Sequence, residues 1–135
     1  MILYIFSESE LKYLCLAMKL NILPRHRFKH ESSLDIDKAK SLLIQKRFIS
    51  IKNGRITVNS GIELFLKEMN SAERVFIGKE GRRFTAYISQ RCSVLLIDDT
   101  NSKNLMLYPF ESEDELVDWL YSEKIYLWED YRLEK

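Results

Sequence analysis

The stretch "CSVLLI", residues 92–97, is apolar at every position after Ser93. A strand with one wet face alternates apolar and polar residues, whereas an unbroken apolar run requires cover on both faces. The reading is a central strand with packed layers on either side. Working outward, "RVFIG" (74–78), "FTAYIS" (84–89) and "LMLYPF" (105–110) are rich in β-branched and aromatic residues. Short polar segments, "KEGRR" and "DDTNSKN", join them. The four runs predict an antiparallel meander, with Pro109 at the end of its last strand because proline cannot donate to a ladder. Ser112 then caps "EDELVDWLYSE", where Leu116, Trp119 and Leu120 share one helical face.

Before the meander the period is helical. "MILYIF" reads as a short strand, and Ser7 with Glu10 has the capping-box spacing that opens a helix over about residues 8–20. "DIDKAKSLLIQKRF" places Ile36, Ala39, Leu42 and Leu43 on an apolar stripe. "FISIKNGRITVN" (48–59) follows, two alternating runs around Asn53-Gly54, which predicts a tight hairpin. A further amphipathic helix spans Ser60 to Glu73, with Ile62, Leu66 and Met69 inward. The predicted class is α+β. A winged-helix-like part (1–73) precedes a four-stranded antiparallel meander with a packed C-terminal helix and tail (74–135), the two forming one compact unit.

At 135 residues, 46% hydrophobic and 30% charged, with four Gly and two Pro, the chain has the composition of a folded domain rather than a disordered one. No apolar run reaches the length of a membrane span, and "MILYIF" lacks the basic flank of a signal peptide, so the expected location is cytoplasmic. Cys15 and Cys92 read as small core residues in a reduced compartment. Net charge is +1, yet residues 1–60 hold 11 Lys/Arg against 5 Asp/Glu, and residues 61–135 hold 10 against 15. That asymmetry permits a basic contact surface in the first half.

Catalytic patterns are scarce. His26 and His30 are spaced for a metal only if helical, and Arg25, Arg27 and Lys29 beside them repel a cation. Asp98 and Asp99 end a strand, where carboxylates can act as acids or bases, but "DDTNSKN" reads more simply as an Asx-rich turn. "GKEG" (78–81) has neither the spacing nor the terminal residues of a phosphate loop. The expectation is a non-enzyme with no metal and no cofactor.

Two binding readings remain. Residues 34–66 resemble the end of a winged-helix domain, whose DNA-binding members place the helix before the hairpin in the major groove. Lys38, Lys40, Gln45, Lys46 and Arg47 would lie on that helix and Lys52 and Arg55 on the wing. Such a regulator would bind DNA with steep salt dependence. The order of elements from Ser7 to about Tyr121 also resembles the N-terminal half of the EspG-like chaperones of type VII (ESX) secretion systems. The resemblance is carried by "FSESELKYLCLAM", "DIDKAKSLLIQKRFISIKNGRITVN", "GIELFLKEM", the meander and "SEDELVDWL". It implies a bacterial, cytoplasmic, non-enzymatic adaptor that holds a helical secretion substrate through protein–protein interaction. On that reading Phe76, Phe84 and Tyr87 of the meander, with Trp119, Tyr126 and Trp128, form the apolar partner-binding patch. Members of the family usually continue into a second, related half; this chain stops at Lys135, and a homodimer is one way to supply that half.

Overall fold

The computed structural model describes residues 3–22, 35–79, 84–99, 104–125 and the backbone of 131–133. In it the uniformly apolar run is strand β6 (Ser93–Asp98), buried at all six positions. The meander has the expected order: β4 (Arg74–Gly78), β5 (Phe84–Ile88), β6 and β7 (Asn104–Phe110) are antiparallel neighbours in sequence. Two strands extend it beyond the expected four. β1 (Tyr4–Ser7) pairs with β7, and β8 (Tyr131–Leu133) pairs with β4, giving the order β1-β7-β6-β5-β4-β8. With the four helices among the described residues, this is the α+β class read from the sequence.

Side chains alternate across a strand, so β6 feeds two cores. Val94 and Leu96 join Phe6, Val75, Ile77, Tyr87, Leu105 and Leu107 on one face. Helices α1 (Glu8–Ala17), α2 (Ile36–Gln45) and α3 (Ser60–Asn70) cover that face with Leu11, Leu14, Leu43, Ile62, Leu66 and Met69. Leu95 and Ile97 join Phe76, Ala86, Ile88 and Phe110 on the other, under Leu116 and Leu120 of α4 (Glu113–Ser122). Full burial of each such side chain contributes about 1.5–3 kcal/mol. The first core mixes residues from before and after position 73, and β1 pairs with β7, so the two parts read from the sequence share one interior.

The helices begin at side-chain caps, and three of them end in a left-handed residue other than glycine. Ser7, Asp35, Asn59 and Ser112 each accept a backbone N–H of the first turn, and Ser7 with Glu10 completes the expected capping box. Lys19, Arg47 and Lys124 stand just past the ends of α1, α2 and α4 with φ of 57°, 63° and 59°. The next residue folds back in each case: Leu20 N–H reaches Cys15 O, Phe48 N–H reaches Leu43 O and Ile125 N–H reaches Leu120 O. This is the Schellman closure, with an apolar contact between the residues so joined. It stops α1 at Ala17 rather than near residue 20, and α3 stops at Asn70 rather than Glu73.

Asn53 and Gly54, both at positive φ (52° and 75°), close the predicted hairpin of β2 (Ile49–Lys52) and β3 (Arg55–Val58). Ladder geometry also explains Pro109. Asp99 N–H bonds to Asn104 O, so residues 104, 106, 108 and 110 direct their backbone groups at β6 and residues 105, 107 and 109 direct theirs at the β1 side. The missing N–H of Pro109 thus points away from β6, on the side where β1 pairs from Tyr4↔Leu107 to Ser7↔Asn104.

Candidate interaction site

The α4 layer covers only part of its face of the sheet. On β1, Tyr4 and Phe6 turn toward the three-helix side, where Tyr4 meets the rings of Phe48 and Phe65 and Phe6 meets that of Phe48, edge-on or tilted. Alternation therefore sends Ile5, and Leu3 just before the strand, to the α4 side. There Ile5 stands opposite Met106 in the β1–β7 register. Ile5 is 41% and Leu3 40% exposed. Next to them Met106 and Tyr108 of β7 are half-buried, the Tyr108 hydroxyl donating to Met106 Sδ at 3.6 Å. Trp119 of α4 forms the far wall, its ring centred 5.1 Å from Tyr108 and 5.9 Å from Phe110. These residues leave a strip of part-exposed apolar surface along β7 and β1 beside α4, called the trough below.

At its Phe110 end the trough opens into a cleft of about 650 Å³ lined by Phe65, Arg91, Cys92, Pro109, Phe110, Glu111 and Glu115. This lies where β7 continues past the start of β1. Arg91 reaches Glu68 at 3.6 Å. Burial, with Glu68 adding to it, pushes the Cys92 thiol up, and burial pushes Cys15 up to about 12. Both shifts disfavour the thiolate, the reactive form of a cysteine.

Among the described residues, the structure does not bring Phe76, Phe84, Tyr87 and Trp119 together on one surface. Phe76 and Tyr87 are each 1% exposed. Phe76 pairs with Ala86 and Val75 with Tyr87, which puts Phe76 and Tyr87 on opposite faces of the sheet. Phe76 fills the α4-side core; Tyr87 fills the other, and its hydroxyl donates to Ile22 O at 3.2 Å. Both strands are covered on both faces, so aromatic character there serves packing. Phe84 packs half-buried against the α4-side core, and only Trp119 borders open apolar surface. Tyr126, Trp128, His26 and His30 lie outside the described residues. Leu3, Ile5, Met106 and Tyr108 were not singled out by sequence; their runs are apolar throughout, and only the β1–β7 register tells inward from outward.

Among the described residues, the basic side chains of α2 and the hairpin have different surroundings. Lys46 Nζ is bound to Glu10 Oε1 at 2.8 Å and to Ile5 O at 3.3 Å, and lies 5.8 Å from the centre of the Phe48 ring. Arg47 occupies the left-handed position that ends α2. The exposed positions of α2 include Asp37, Lys38, Ser41, Ile44 and Gln45, one cation against one anion. Lys52 pairs with Arg55 across the hairpin tip. On the other face of the hairpin Ile49 and Val58 are buried in the core, which makes it a clip at its base.

Asp98 is buried at the end of β6, and among the described residues no three of His, Cys, Asp and Glu converge as a metal site. No helix among them is long and apolar enough to cross a membrane. Compared with known proteins, the chain matches no family model, no curated sequence and no solved structure.

Proposed function

We propose that this chain is a non-enzymatic adaptor that holds an amphipathic helix of a partner protein in the trough between α4 and β1. The observation that carries the reading is the trough itself: Leu3, Ile5, Met106, Tyr108 and Trp119 leave apolar surface open beside a helix that already packs on the same sheet face. A helix laid there would continue the α4 layer and bury its own apolar stripe, the usual helix-in-groove mode of recognition. The narrower form, drawn from the resemblance in element order, is a cytoplasmic chaperone for a helical type VII secretion substrate.

The test is co-purification from the native cell with two variants run beside the parent chain. Ile5→Glu places a charge in the trough and should abolish recovery of a small helical partner. Reversing charge at Arg47, Lys52 and Arg55 should leave recovery unchanged; Lys46 is spared because its ion pair is structural. The opposite pattern, with no partner lost on Ile5→Glu and salt-sensitive duplex DNA binding lost on charge reversal, would replace the adaptor with the DNA-binding regulator.

A further inference from the structure

We infer that the cleft at the Phe110 end of the trough is an anchor pocket for an arginine side chain carried by the partner helix, so that one cation selects the partner and sets its register. The inference rests on the adaptor reading and specifies what that partner must carry. Its walls are the rings of Phe65 and Phe110 with Pro109, and its polar rim is Glu111, Glu115 and Arg91. Arg91 is engaged by Glu68. Glu113, the acid between them on α4, is bound by Arg74. Glu111 and Glu115, both exposed, have no ion pair among the described residues. The uncompensated charge of the cleft is therefore negative.

A guanidinium matches this chemistry in three ways. It is flat and stacks on aromatic faces, it is weakly hydrated, and its donor fork suits carboxylates. Position supports it too. The cleft lies where β7 continues past the start of β1, and Phe110 both lines it and meets Trp119 of the trough wall, so a helix lying in the trough would end beside Glu111 and Glu115. Pro109 has no N–H to offer here, which disfavours a partner that adds as an extended strand.

The test uses synthetic peptides: an 18-residue amphipathic helix with a leucine stripe and a single arginine, moved along one flank across a set, and the same set with citrulline in place of arginine. Fluorescence anisotropy reads binding to the full chain, to the double variant Glu111→Gln/Glu115→Gln, and to Ile5→Glu and Leu3→Glu. The expected result is one arginine position at which citrulline weakens binding about tenfold. That loss should vanish on the double variant and shrink as salt is raised. Binding that Ile5→Glu and Leu3→Glu abolish, but with no arginine position coupled to the two glutamates, overturns the anchor and leaves the adaptor standing. No peptide binding, or a self-associating chain that becomes monomeric on Ile5→Glu in sedimentation, overturns both. Circular dichroism of each variant confirms the fold.

Discussion

Lys46 shows how one residue can be claimed by two readings and decided by its neighbours. By sequence it is one of a run of cations before a hairpin. In the fold it bridges three pieces of chain: the C-terminus of α2, the capping acid of α1 and the edge of β1. Glu10 is 1% exposed, accepts from Ser7 N–H at 2.6 Å and from Lys46 at 2.8 Å, and is the carboxylate Lys46 meets among the described residues. The contact on Ile5 O also occupies an outward carbonyl of an edge strand, a site where an unpaired backbone would invite strand addition. Lys46→Met keeps the stem but leaves Glu10 buried without its cation. The expected loss of stability is about 2–3 kcal/mol, below the full cost of orphaning a buried charge because the lysine end is 36% exposed. Urea denaturation measures it. Glu10→Gln combined with Lys46→Met should cost less than the sum of the single changes, and strict additivity would mean the pair is not coupled.

At the scale of elements, helix starts were legible and helix stops were not. Ser7-x-x-Glu10 and Ser112 are side chains whose acceptors can be read directly from the sequence, and each caps its helix. The stops at Lys19, Arg47 and Lys124 depend on a left-handed residue that is usually glycine, so nothing in the sequence marks them except an apolar residue immediately after. That apolar residue pins the turn: Phe48 joins Tyr4 and Phe6 in the aromatic cluster, and Ile125 enters the α4-side core. Holding a side chain at positive φ is strained, and glycine relieves it. Arg47→Gly is therefore expected to stabilise the protein by about half to 1 kcal/mol, net of the entropy glycine adds to the unfolded chain, while Arg47→Val destabilises it. Urea midpoints at unchanged slope check both. A fall in stability with glycine would mean that the Arg47 side chain contributes more than its backbone costs.

For the whole molecule, the decisive feature is that β6 is the inner wall of two cores at once. Its apolar run announced cover on both faces, but which residues faced which layer depended on register, and there the expected Phe76–Tyr87 patch separated onto opposite faces. The same register placed Ile5 beside Met106 and opened the trough, a juxtaposition of residues about a hundred positions apart that no local pattern encodes. Sharing one strand should couple the two cores into a single cooperative unit. Leu95→Ala removes side-chain volume from the α4-side core and Leu96→Ala from the three-helix core, each at an expected cost of about 2–5 kcal/mol. Cys15 reports on the three-helix core only, since burial there raises its thiol to about 12 and leaves it 3% exposed. In native buffer its reaction with a thiol reagent should require opening of the fold. Leu95→Ala should then accelerate Cys15 labelling in proportion to the stability it removes, as Leu96→Ala does, although Leu95 touches the opposite face. If Leu95→Ala lowers stability by circular dichroism while Cys15 keeps its parent labelling rate, the two faces open independently, and the helical part is a unit in its own right.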